Sequence, residues 1–153
     1  MANALTSHPM EILLIEDNRA DARLIIEALR SGNIRHRLTL IPDGAEAMEF
    51  LHRKGLFTHV PHPDLILLDL NLPGRDGRDL LAEVKADYEL MTIPVVILTG
   101  SPSDEDRLRS ELLLVDGYLR KPVDFGEFTM IVRSLTSHWH DDVLLPAELY
   151  GGL

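Results

Sequence analysis

Three stretches of this chain are apolar without a break, and each runs into a polar residue. Ile12-Leu13-Leu14-Ile15 leads into Glu16 and Asp17, Leu65-Ile66-Leu67-Leu68 into Asp69, and Pro94-Val95-Val96-Ile97-Leu98 into Thr99. Strands covered on both faces read as continuous apolar runs rather than as an alternation. Two weaker strands are predicted, one from about Arg35 to Ile41 that stops at Pro42, and one from about Gly117 to Arg120 that leads into Lys121 and Pro122. The first strand is placed at about Glu11 to Glu16, the third ends at Asp69, and the fourth spans Pro94 to Thr99.

Between the strands the apolar spacing turns helical. A helix is predicted from about Asn18 to Ser31, with Leu24, Ile25, Ala28 and Leu29 on one face and Ser31-Gly32 as its stop. Asp43 and Glu46 form an acidic capping-box pattern ahead of Ala47, Phe50 and Leu51. A polar loop with Gly55, Pro61 and Pro63 follows. A third helix is predicted from about Gly77 to Tyr88, with Leu80, Leu81 and Val84 inward. A weaker one begins near Ser103 and carries Leu108 and Leu112, and the last begins near Asp124 and carries Phe128, Ile131, Val132, Leu135 and Trp139.

Five strands alternating with five helices imply an α/β fold with a parallel sheet wrapped on both sides. Right-handed crossovers make it doubly wound, and the flavodoxin-like strand order 2-1-3-4-5 is expected. In such a sheet the chemistry gathers beyond the carboxyl ends of the strands, at the switch point between the first and third. Glu16, Asp17 and Asp69 end those two strands, and Thr99 and Lys121 end the neighbouring ones.

Composition narrows the class. A chain of 153 residues, 45% hydrophobic and 26% charged, suits one globular domain. No apolar run is long enough to span a bilayer, and the first nine residues lack the basic and apolar regions of a signal peptide. The absence of cysteine excludes disulfide and thiolate chemistry and fits a reducing cytoplasm. A formal charge of -10 argues against nucleic-acid partners, which demand Lys/Arg clusters. Neither a P-loop nor a G-x-G-x-x-G motif occurs.

Three carboxylates side by side repel one another unless a cation neutralises them. Mg²⁺, with Mn²⁺ as a substitute, takes such hard oxygen ligands and is often completed by a phosphate oxygen. Asp17 and Asp69 are the expected direct ligands, Glu16 acts through a water, and the backbone carbonyl of Asn71 adds another oxygen. A carboxylate can also attack phosphorus and form an aspartyl phosphate. Catalysis of that step is mostly positioning and charge neutralisation. Lys121, Thr99 and the Gly100 amide would then meet the phosphoryl oxygens around Asp69.

The segments Leu14-Ile15-Glu16-Asp17-Asn18, Leu68-Asp69-Leu70-Asn71-Leu72-Pro73 with Asp76-Gly77, Ile97-Leu98-Thr99-Gly100 and Gly117-Tyr118-Leu119-Arg120-Lys121-Pro122 resemble the receiver domain of two-component response regulators. The resemblance implies that Asp69 accepts phosphate from the phosphohistidine of a sensor histidine kinase. It also implies that Lys121 and Thr99 read the aspartyl phosphate and that Tyr118 turns inward as Thr99 moves. Glu16 departs from the commoner aspartate, and Asn71 and Ser101 occupy positions that tune phosphate lifetime in that family. Asn18 to Leu24, the His- and Pro-rich loop before Asp64, and Ser137 to Pro146 resemble the small single-domain regulators paired with bacterial and cyanobacterial phytochrome kinases. The implied organisation is a flexible lead over 1–9, a receiver domain over 10–140 and a tail over 141–153.

No output domain is expected after Trp139, so output would be docking, relay to a histidine phosphotransfer protein, or sequestration of phosphoryl groups. In the tail, Val143, Leu144, Leu145, Leu149 and Tyr150 call for cover, either on the parent domain or on a second copy. A homodimer is expected, through exchanged arms or through the face formed by the last two helices and the fifth strand. Two other classes share part of this pattern. A phosphatase with an aspartyl-phosphate intermediate would place an Asp where Asn71 stands. A pseudo-receiver acting by binding alone would not require Asp17, Asp69, Thr99 and Lys121 together. The His59/His62 and His138/His140 pairs read as surface histidines.

Overall fold

The structure, a computed structural model, describes residues 9–100, 103 and 115–135. The N-terminal lead apart from Pro9, together with Ser101, Leu108, Leu112, Trp139 and the tail over 141–153, lies outside the described residues. The described elements run β1 (Met10–Ile15), α1 (Arg19–Ser31), β2 (His36–Ile41), α2 (Gly44–Leu51), a single 3₁₀ turn (Gly55–Phe57), β3 (Leu65–Asp69), α3 (Gly77–Ala86), β4 (Val95–Thr99), β5 (Gly117–Arg120) and α4 (Phe125–Leu135). The five strands are all parallel and lie in the order β2-β1-β3-β4-β5, as predicted.

The uninterrupted apolar runs have a simple cause. Successive strand residues point to opposite faces of a sheet, and here each face is covered. Ile12, Leu14, Leu65 and Leu67 pack with Ile25, Leu29, Phe128 and Val132 of α1 and α4. Leu13, Ile15, Ile66 and Leu68 pack with Phe50, Leu51, Leu80 and Val84 of α2 and α3. No helix of the described residues is long and apolar enough to cross a membrane.

The helices start where short polar side chains take the first free amides. Asn18 accepts from the Asp21 amide, Asp43 from Ala45 and Glu46, and Asp76 from Arg78. Two expectations are corrected. α3 ends at Ala86 rather than Tyr88, because the Asp87 carboxylate accepts the amides of Glu89 and Leu90 and draws them out of the helical ladder. Tyr88 is left 93% exposed. On α1 the fully buried positions are Ala22, Ile25, Ala28 and Leu29, with Leu24 only half-buried on the flank.

The register levels the strand ends. Ile15 pairs with Leu68, Asp69 with Leu98, and Thr99 with Arg120. Glu16 and Lys121 therefore each lie one residue beyond a strand end, on the edge that carries Asp69.

Candidate functional site

Glu16, Asp69 and Thr99 are the buried polar side chains among the described residues, and all three sit at that edge. Asp17, beside Glu16, is exposed. Glu16, Asp17 and Asp69 each offer a carboxylate oxygen within 4.8 Å of the other two. Glu16 Oε2 accepts the Asn18 amide at 3.1 Å. Its other oxygen, Oε1, is buried with no aligned hydrogen bond. A buried carboxylate oxygen without an aligned hydrogen bond, inside a three-carboxylate cluster, fits a hard divalent cation. Burial pushes the Glu16 carboxyl up to about 7, with Lys121 opposing the rise and Asp69 adding to it.

Lys121 supplies the positive charge. Its Nζ lies 2.8 Å from Glu16 Oε1, 3.0 Å from Asp21 Oδ2 and 3.2 Å from Asp69 Oδ2. Burial would lower its pKa, but the surrounding carboxylates outweigh that and hold it well above the ordinary lysine range. The backbone sets it there, since the Lys121 amide donates to the Thr99 carbonyl at 2.8 Å and continues the β4–β5 ladder.

Asp69 is held from both sides. Oδ2 faces Lys121, and Oδ1 accepts the Asn71 amide at 3.1 Å. The contact Asn71 makes with Asp69 is thus through its N–H. The start of α3 presses on the same turn. Gly77 donates to the Leu70 carbonyl, and a Cβ there would stand 2.7 Å from Leu70 Cα and 2.8 Å from the Asp69 carbonyl oxygen. Only glycine allows that approach. Gly74 has φ +79 and packs against Asp43, which ties the loop to the start of α2. Arg75 in the same loop pairs with Glu83 of α3, and Glu83 also accepts from His52 at 2.8 Å.

The remaining predicted residues border this centre. Thr99 is buried at the tip of β4. Gly100 follows it in an exposed bend, and a Cβ there would meet nothing within 4 Å among the described residues. Tyr118 pairs with Ile97 in the sheet and packs half-buried on the α2–α3 side. Asp21 is the residue that the sequence reading missed. Its signal was an acid in the first turn of α1, within a segment noted only for its loop style.

The cluster can hold a cation and present one carboxylate, Asp69, beside an ammonium at one sheet edge. The chain is similar to known proteins over most of its length. A family model described as response regulator receiver domain matches residues 12–133. Response regulator Rcp1 of Synechocystis sp. is 45% identical over 139 residues, covering 91% of this chain and 95% of Rcp1. Among solved structures, the phosphorylated cyanobacterial phytochrome response regulator RcpA superposes with a TM-score of 0.73 at 42% identity, over 86% of this chain and 94% of its own. The Mn²⁺-bound form of Rcp1 superposes with a TM-score of 0.72 at 44% identity, over 86% and 94%.

Proposed function

The chain belongs to the response regulator receiver family, and on that premise we propose that it accepts a phosphoryl group on Asp69 and signals through phosphorylation-dependent protein contacts. The observation that carries this reading is the buried Asp69 carboxylate, with Lys121 at 3.2 Å and the Glu16 and Asp17 carboxylates beside it at one sheet edge.

An Asp69 oxygen attacks phosphorus and forms the O–P bond. The P–N bond of the donor phosphohistidine breaks, and its electron pair leaves with the imidazole. The nucleophile is a carboxyl group, and an ordinary carboxyl has already lost its proton near neutral pH, so the step calls for no general base. The charged phosphoryl oxygens are met by the Lys121 ammonium, the Thr99 hydroxyl and the Gly100 amide. Glu16, Asp17, Asp69 and the Asn71 carbonyl would hold Mg²⁺ or Mn²⁺, which supplies charge neutralisation at the phosphoryl group. That the similar Rcp1 has a Mn²⁺-bound form supports a divalent cation as the occupant.

The donor is a sensor histidine kinase of the phytochrome type, supported by the similarity to RcpA, a phytochrome response regulator. A histidine phosphotransfer protein is a further acceptor. The protein acts in the cytoplasm as a signalling phosphoacceptor rather than a metabolic enzyme, and Thr99 and Tyr118 transmit its state. It works as a homodimer. Met130, 67% exposed on α4 beside β5, offers apolar surface for that contact.

Incubation with acetyl phosphate and Mg²⁺, read by intact mass, tests this reading. The native protein should gain one phosphoryl group and Asp69→Asn none. No gain in either folded protein would overturn it.

A further inference from the structure

Asp21 is held in place by the start of its own helix. The Asn18 side chain accepts the Asp21 amide at 3.0 Å and fixes the first turn of α1. Helical side chains lean toward the N-terminus, which carries the Asp21 carboxylate back over that turn to the sheet edge. There Oδ2 lies 3.0 Å from Lys121 Nζ. An acid in a first turn favours the helix dipole, but the dipole does not require contact with an ammonium from β5.

An ammonium has three N–H donors, and three carboxylates surround this one, Glu16, Asp21 and Asp69. Glu16 and Asp69 belong to the cluster that would hold a cation; Asp21 does not. Among the described residues Asp21 is thus the one carboxylate partner of Lys121 whose hold does not compete with that cation. Lysine otherwise carries its charge on a flexible four-carbon stem.

We infer that Asp21 is a positioning residue, which anchors the Lys121 ammonium beside Asp69 when a divalent cation occupies the carboxylate cluster. The part of this inference that concerns phosphoryl transfer rests on the function proposed above; the anchoring does not.

The chain has three lysines, Lys54, Lys85 and Lys121. Side-chain ammonium NMR on ¹⁵N-lysine-labelled protein in saturating Mg²⁺ therefore resolves Lys121 directly. Lys121 ammonium protons should exchange with water slowly in the native protein and in Asp21→Asn, whose carbonyl oxygen still accepts. In Asp21→Ala the exchange should be about fivefold faster, the loss of one modest charge-assisted contact. In the matching acetyl phosphate titration, Asp21→Ala should raise the half-saturating concentration about three- to tenfold, with the maximal rate within about twofold and Asp21→Asn largely restored. A purely helix-stabilising Asp21 would move the melting temperature and neither of these readouts. Equal Lys121 exchange in native protein and Asp21→Ala overturns the inference even if Asp69 is phosphorylated. Faster exchange in Asp21→Ala, in a protein that takes no phosphoryl group, supports the anchoring and sinks the phosphoacceptor reading instead.

Discussion

Lys121 Nζ stands 2.8 Å from Oε1 of Glu16, a carboxylate with no solvent exposure. The pair joins the end of β5 to the end of β1 across two intervening strands. Its consequences extend to pH, because Glu16 is pushed up to about 7 from an ordinary 4.5, first by burial.

The folded protein thus binds the Glu16 proton more tightly than the unfolded chain does. The stability associated with Glu16 is fully present below about 4.5 and is lost as pH rises through about 7. In EDTA the melting temperature should fall across that window, and Glu16→Gln should flatten the fall. Mg²⁺ competes with the same proton, so its apparent affinity should rise with pH and level off above about 7. Calorimetry at several pH values checks both, and a Mg²⁺ affinity that ignores pH would count against Glu16 as a ligand.

Gly77→Ala should cost about 1–3 kcal/mol, the range for overpacking a tight contact. The added methyl meets backbone at Leu70 and Asp69, which cannot step aside as a flexible side chain would. Because that backbone carries Asp69, Mg²⁺ binding should weaken along with stability. A urea melt and a Mg²⁺ titration on the same variant separate the two effects; unchanged Mg²⁺ affinity would show that Asp69 is not displaced.

Glu83 has its carboxyl lowered first by the hydrogen bond from His52 and further by Arg75. The sign is opposite to that of Glu16. Its contribution is present above the ordinary value of 4.5 and lost as pH falls through the lowered one. Glu83 is about a third exposed, at 35%, so Glu83→Gln should cost less than about 1 kcal/mol at neutral pH. The difference from native protein should shrink in acid, and a difference constant with pH would rule out the ionic origin.

Thr99→Val keeps the shape of a side chain buried at the tip of β4 and removes its hydroxyl. In the native protein, beryllofluoride with Mg²⁺ should change the self-association constant by about fivefold or more, the lower range of allosteric coupling. The variant should lose most of that change while keeping its fold. Equal dimer dissociation constants with and without beryllofluoride in the native protein would rule out the coupling.

Much of the architecture was legible in the pattern of the chain. The three apolar runs identified the central strands because a strand covered on both faces has no polar side to display. The polar residues that end those runs placed Glu16, Asp17, Asp69 and Thr99 at one edge once the strand order was assumed. The far end of α3 was less legible. The apolar spacing gave no reason to stop before Tyr88, whereas Asp87 stops the helix by binding two amides ahead of it.

Sequence by itself determined the alternation of strands and helices, the strand order and the set of residues that end each strand. Those follow from local periodicity and from the right-handed crossover, and neither depends on atomic detail. Tertiary structure alone decided that Lys121 divides its ammonium among Glu16, Asp21 and Asp69, that Glu16 is fully enclosed, and that Gly77 must be glycine. Each of these depends on how strand ends and helix starts are staggered in space. A carboxylate in a first helical turn looks the same in sequence whether it faces water or a lysine from another strand.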